Sequence, residues 1–238
     1  MFDITFQDMD GERRYVWQTS WGVSTRLIGA IVMVHGDRKG LRLPPLVAPI
    51  QVVIVPIWRS DEELALVRET VERLQADLAR VVRLEVDWSE QRPGWKFNEW
   101  EMRGVPLRVE IGPRDVARNE VVLVRRTGLA KEAVSLEGLP VTVERILREV
   151  QDELMARGRR FLEEHITEAR TVDEVAALIE ARRGFVRVGW CGRQACEETI
   201  RDRTGASPRV IPLDDQPQGA CIACGQTAQA TVYYARAY

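Results

Sequence analysis

Lysine is almost missing from this chain of 238 residues. Of its 34 basic residues only Lys39, Lys96 and Lys131 are lysine, and the rest are arginine. Histidine is nearly as scarce, with His35 and His165 alone, and there are four cysteines. No apolar run approaches the roughly 18 to 20 residues that a membrane span requires. The N-terminus lacks a basic flank followed by an apolar signal region. These absences argue against a membrane protein and against export, and they lead to the expectation of a soluble, cytoplasmic one. No repeat of fixed period and no low-complexity segment is present. A formal net charge of −2 offers no global attraction for a polyanion. Any RNA contact would therefore rest on local basic patches. The clusters Arg125-Arg126, Arg157-Gly-Arg159-Arg160 and Arg182-Arg183 are read first as a coding bias towards arginine and solvated helix faces.

What is present is ordinary globular composition, 45% hydrophobic and 29% charged, enough for one or two domains with a buried core. Residues 2–7 and 14–19 alternate like short strands around Asp10-Gly11. Residues 23–34 read as a helix with small and aliphatic residues packed on that sheet, and residues 40–49 form a proline-bearing connection. From Gln51 the run Val-Val-Ile-Val-Pro-Ile predicts a buried strand, and residues 61–80 a strongly periodic helix. Strands follow at 82–86, 107–111 and 120–124, with shorter helices near 96–102 and 115–118. Alternating strand and helix predicts a small α/β sheet covered by helices. Residues 141–168 predict one long amphipathic helix with apolar Val143, Ile146, Leu147, Val150, Leu154, Phe161 and Leu162, open to a bend at Gly158. Thr171 and Glu174 have capping-box spacing for a further helix over 171–183.

The cysteines come as two tight pairs, Cys191-x4-Cys196 and Cys221-x2-Cys224, separated by a domain-sized interval. This is the pattern of a four-thiolate zinc site, structural because all four positions are protein ligands. Two disulfides are the competing account, disfavoured where thiols stay reduced. Neither histidine is assigned a metal or a catalytic task; His35 is expected to orient a helix end.

Three blocks carry a more specific signal. The first is Gln18-Thr-Ser-Trp-Gly-Val-Ser-Thr-Arg26-Leu-Ile-Gly-Ala-Ile, closing with His35-Gly36-Asp37. The second is Arg92-Pro-Gly-Trp-Lys-Phe-Asn-Glu-Trp-Glu101-Met-Arg-Gly104-Val-Pro-Leu-Arg108-Val-Glu110-Ile-Gly-Pro-Arg114-Asp115. The third is the cysteine quartet with the chain end Tyr233-Tyr-Ala-Arg-Ala-Tyr238. Read on their own, Ser24 or Thr25 caps a helix. Glu101 and Arg108 form a weak surface ion pair, Trp95, Phe97 and Trp100 are core or base-stacking residues, and the chain end is frayed or docked.

Together these blocks resemble the prolyl-tRNA synthetase family of class II aminoacyl-tRNA synthetases, in its archaeal and eukaryote-like type. The resemblance covers essentially the whole chain. It implies a fold of three parts: a remnant of the antiparallel catalytic sheet with motif 3 (residues 1–45), an α/β anticodon-binding domain (46–140), and a small α+β zinc-binding C-terminal domain with its leading helix (141–238). It further implies that Ser24, Thr25 and Arg26 contact ATP, with Arg26 the catalytic contact against adenine and phosphates. Glu101 and Arg108 would contact the paired guanines of the proline anticodon. Cys191, Cys196, Cys221 and Cys224 would hold zinc, and Tyr238 would fold back towards the catalytic domain. Motif 1, motif 2 and the proline pocket of the family would precede this chain, so it is expected to be inactive alone and weakest over residues 1–45. The partners implied are proline tRNA, with ATP, magnesium and proline in the complete enzyme, and a second copy in a homodimer. Two functions stand open at this point: the C-terminal portion of a proline–tRNA ligase, or a free-standing tRNA-binding module without chemistry.

Overall fold

The computed structural model describes residues 3–181, 184–217 and 219–237. The chain divides into two units, Met1–Val150 and Gln151–Tyr238. It is a mixed α/β protein.

The first unit opens with a hairpin, β1 (Thr5–Gln7) against β2 (Arg13–Tyr15), antiparallel with Thr5 opposite Tyr15. Gly11 takes the left-handed conformation, φ 84°, that the turn needs. Helix α1 (Arg26–His35) follows, and here the structure departs from expectation. The helix forms, but it buries none of its residues: Leu27, Ile28, Val32, Met33 and Val34 all face solvent. The three-residue strands of the hairpin are themselves exposed at every residue, Phe6 and Tyr15 included, so they do not cover it. A tight hairpin, β3 (Gly36–Asp37) with β4 (Gly40–Leu41), then carries the chain into the main sheet.

That sheet is built from β5 (Val52–Pro56), α2 (Asp61–Leu78), β6 (Leu84–Val86), α3 (Pro93–Arg103), β7 (Leu107–Ile111), α4 (Pro113–Ala117), β8 (Glu120–Arg125) and β9 (Lys131–Ser135). Its strand order is β6-β5-β7-β8-β9. β5 lies parallel to β6 and β7, as helical crossovers require, while β7, β8 and β9 are antiparallel. β5 is buried at every residue, which is why its sequence is an unbroken apolar run rather than an alternation. Helix α2 starts where Ser60 accepts from the Glu63 N–H, and it buries Val67, Val71, Leu74 and Leu78 at helical spacing against the sheet. Helix α3 begins with Pro93 and stops at Gly104, φ 79°. Sequence reasoning overlooked β9: Lys-Glu-Ala-Val-Ser is a mostly exposed edge strand with one half-buried residue.

Helix α5 (Leu139–Glu164) begins in the first unit and ends in the second. It passes Gly158 without a break, but it stops short of the predicted end at 168. Residues Ile166–Glu168 form strand β10 instead, drawn into parallel pairing with β11 (Phe185–Trp190). Val143, Ile146, Leu147, Val150 and Leu154 are buried as the stripe predicts; Phe161 and Leu162 are exposed. In the second unit α6 (Val172–Glu180), α7 (Gln194–Thr204), β12 (Ser207–Val210) and β13 (Ala230–Ala235) complete a sheet ordered β10-β11-β13-β12. Thr171 caps α6 through the Glu174 N–H, while Glu174 reaches the N–H of Arg170, one residue before the position a capping box would use. Val172, Val175, Ile179, Val186, Val188, Ile200, Val232 and Tyr234 make its core. Tyr234 is thus an interior residue of β13, whereas Tyr238, like the cluster Arg182-Arg183, lies outside the described residues.

Candidate functional sites

Glu101 and Arg108 leave the last turn of α3 and the second position of β7, and the fold brings them together. Arg108 Nη1 donates to Glu101 Oε1 at 3.0 Å. Both are more buried than a surface pair would be, at 7% and 12% side-chain exposure for Arg108 and Glu101. On its other side Arg108 donates from Nε to Glu110 Oε1 at 3.1 Å, and Lys131 Nζ holds the second oxygen of Glu110 at 2.7 Å. The guanidinium carbon lies 4.2 Å from the centre of the Phe97 ring. Arg108 is thus gripped by two carboxylates and an aromatic face. Lys39, from the β3–β4 turn, reaches the free oxygen of Glu101 at 3.5 Å.

The aromatic trio sorts by burial. Trp100 is core, donating its indole N–H to Asp87 Oδ2 at 2.8 Å. Phe97 is half-buried beside Arg108, and Trp95 is exposed. Gly112-Pro113-Arg114-Asp115 is the predicted turn and helix start: Asp115 Oδ2 accepts from the Gly112 N–H at 2.8 Å.

The four cysteines converge. Their sulfur atoms all lie within 4.8 Å of one another, with Cys191–Cys196 at 3.6 Å and Cys191–Cys224 at 3.7 Å. Four thiolates around one ion at about 2.3 Å would stand about 3.8 Å apart, so the set fits a closed tetrahedral site. Disulfides are excluded as the arrangement here, since all four are free thiols. Two knuckles supply the four sulfurs. One runs from the end of β11 through left-handed Gly192 into α7, and the other turns at left-handed Gly225, whose N–H donates to the Cys221 carbonyl at 2.8 Å. Arg193 donates from Nε to Cys191 Sγ at 3.5 Å, and this holds the Cys191 thiol down at about 6. Burial pushes Cys196 up to about 12.

Comparison with known proteins bears on both sites. Residues 51–146 match the family description "Anticodon binding domain". Residues 172–238 match "Prolyl-tRNA synthetase, C-terminal". The whole chain aligns with "Proline--tRNA ligase" of Natranaerobius thermophilus at 47% identity, covering 50% of that protein. It aligns with the protein of the same name from Clostridium novyi at 44% and with "Proline--tRNA ligase 2" of Bacillus cereus at 42%, covering 49% of each. The chain belongs to the prolyl-tRNA synthetase family. It spans about half the length of the curated relatives it matches.

Glu101 and Arg108 fall inside the anticodon-binding match and the cysteines inside the C-terminal match. Ser24, Thr25 and Arg26 gather at the start of α1, all exposed. Thr25 is the N-cap residue, yet its side chain makes no capping bond; the carbonyls of Ser24 and Thr25 accept instead from Leu27 and Ile28. The capping role read from the sequence is therefore not what these hydroxyls do. His165 rests its ring on Phe161 and bonds that residue's carbonyl through Nδ1 at 2.7 Å. Among the described residues no helix is long and apolar enough to cross a membrane.

Sequence reasoning missed Asp37, Lys39, Glu110 and Lys131 as members of the charged network, and it misread Arg126 as a solvated cation. Arg126 is almost fully buried, and its two terminal nitrogens clasp the Asp37 carboxylate at 3.0 and 2.7 Å. Arg125 pairs with Glu149 at 2.6 Å, and Arg157, Arg159 and Arg160 do face solvent as read. The available signal was Glu110 two residues after Arg108, on the same face of a strand.

Proposed function

We propose that this chain acts as part of a proline–tRNA ligase and reads the proline anticodon with Glu101 and Arg108. The observation that carries the reading is the grip on Arg108: a guanidinium fixed between Glu101 and Glu110, beside Phe97, in the segment that matches an anticodon-binding domain. A carboxylate accepts from the N1–H and N2–H groups of guanine, and a guanidinium donates to O6 and N7. Unpaired loop bases expose both edges. The pair thus suits consecutive guanines in a single strand.

Around it we place the rest of the family's machinery. Ser24, Thr25 and Arg26 contact ATP, Arg26 being the catalytic contact, where the free N–H groups of a helix start also favour phosphate. Arginine suits that place because its planar charged group stacks and donates at once. Cys191, Cys196, Cys221 and Cys224 hold a structural zinc. The complete enzyme, with magnesium bound, joins proline to ATP as proline adenylate with release of pyrophosphate and then transfers proline to its tRNA with release of AMP, as a cytoplasmic homodimer. Residues 1–45, 46–140 and 141–238 carry the ATP contact, the anticodon reader and the zinc domain.

The test is binding of the purified chain to proline tRNA and to the same tRNA with its two anticodon guanines replaced, at fixed salt. Preference for the guanines supports the reading. Equal affinity for both would overturn it.

A further inference from the structure

Asp37 and Arg126 stand 89 positions apart, and neither belongs to the anticodon pair, yet both bear on it. Arg126 Nε donates to the main-chain carbonyl of Glu101 at 2.8 Å while its Nη atoms hold Asp37. Asp37 in turn accepts from the Lys39 N–H at 2.8 Å and lies 3.5 Å from Arg42 Nε. One planar cation therefore ties the last turn of α3 to the β3–β4 hairpin. The backbones meet without a spacer. A Cβ on Gly40, φ 128°, would sit 2.4 Å from the Met102 Cα, and one on Gly104 would sit 2.6 Å from the Leu41 Cβ. Leu43 completes the seam by donating to the Gly104 carbonyl at 3.1 Å.

The consequence lies at Glu101. With its carbonyl fixed by Arg126, one carboxylate oxygen on Arg108 and the other facing Lys39, the side chain has one orientation to present. Lys39 is there because the hairpin is there. Beside it runs an open groove of about 340 Å³, lined by Asp37, Arg38, Lys39, Arg126 and the turn Thr127-Gly128-Leu129.

We propose that Arg126 and Asp37 are positioning residues for anticodon discrimination, setting the direction of the Glu101 carboxylate and delivering Lys39 to its free oxygen. This inference rests on the reading of Glu101 as an anticodon contact. A lysine in place of Arg126 keeps the charge but loses the fork that bonds Glu101 and Asp37 together. Asparagine at 37 keeps the shape and loses the anion.

The test uses the full chain and the two tRNAs named above, with Asp37→Asn, Arg126→Lys, Glu101→Ala and the double variant Asp37→Asn/Glu101→Ala. The expected result is a discrimination ratio lowered about tenfold by Asp37→Asn, with affinity for the guanine-replaced tRNA unchanged, and no further loss when Glu101 is already alanine. A merely structural role would lower both affinities together while leaving the ratio intact, and that result overturns the proposal. Additive losses in the double variant overturn it as well. If Glu101→Ala itself leaves the ratio untouched, the anticodon reading fails first and takes this inference with it. Should Arg126→Lys not fold, Asp37→Asn and Lys39→Met decide the matter, Lys39→Met being expected to lower the ratio without a change in stability.

Discussion

The indole N–H of Trp100 donates to the Asp87 carboxylate across 2.8 Å, both residues being buried. The same carboxylate stands 3.8 Å from the ammonium of Lys96, whose side chain is 2% exposed and whose Nζ donates to the Asp87 carbonyl at 2.9 Å. Ser89 adds its hydroxyl at 2.6 Å. The indole, the Ser89 hydroxyl and the Ser89 N–H thus donate to one anion, with the Lys96 ammonium beside it, where β6 gives way to α3, and they fix the helix that carries Glu101.

Removing that anion should be costly. Asp87→Ala leaves a buried ammonium without its counter-charge and an indole without an acceptor, an expected loss of about 3 kcal/mol. Asp10→Ala, which breaks the exposed pair with Arg14 at 48% and 56% exposure, should change stability by less than about 0.5 kcal/mol. Urea unfolding of both variants checks the contrast. Equal effects would show that burial does not set the scale here.

Glu101→Ala and Arg108→Ala should each weaken discrimination between proline tRNA and the guanine-replaced tRNA by about 1 to 3 kcal/mol. Glu101→Ala is the cleaner of the two, because Glu110 still pairs with Arg108 when Glu101 is gone. Arg108→Ala instead leaves Glu110 with Lys131 alone. Titrations with the two tRNAs separate the outcomes: equal loss on both reassigns a residue to backbone positioning.

Acid should loosen the hairpin seam. The Arg126 guanidinium holds the Asp37 carboxyl down at about 2; burial opposes this, and the Lys39 N–H and the charge of Arg42 assist. A carboxyl whose pKa is depressed by folding adds stability that is complete above its unfolded value, about 3.9, and is lost as pH falls through the folded one. Wild type should therefore exceed Asp37→Asn in stability at neutral pH, with the gap closing between about pH 4 and about pH 2. Unfolding midpoints of both proteins across that range are the measurement, and a gap that is constant with pH would remove Asp37 as its source.

Protein purified without chelator should carry one zinc, and its removal should free all four thiols to a thiol reagent and unfold the second unit. Metal analysis and thiol titration before and after a strong chelator check this. Cys224, the exposed member, should react first. Substoichiometric metal with oxidised thiols would sink the zinc assignment.

Much of the architecture was written in local patterns. The unbroken run at β5 and the periodic apolar face of α2 each obey one rule of burial and appear where that rule puts them, while α3, expected near 96–102, starts three residues earlier at Pro93. Misreadings cluster where the deciding partner is distant. Residues 166–168 look like a continuation of α5 until β11 offers them a parallel neighbour. The aliphatic face of α1 looks like a packing surface, but the hairpin before it stays exposed as well and covers none of it.

The sites divide along the same line. By itself the sequence determined that four cysteines in two tight pairs can share a metal, because ligand spacing within a knuckle is a local matter, and it singled out Glu101 and Arg108 through the block that contains them. Only the tertiary structure decided that this pair is buried and that Glu110, Lys131, Lys39 and the Asp37–Arg126 clasp surround it. Those partners come from β7, β9, β3 and its turn into β4, and the residue after β8, with bonded partners up to 89 positions apart. Charge pairing depends on distance in space, and apart from the two-residue step from Arg108 to Glu110 no spacing along the chain encodes it.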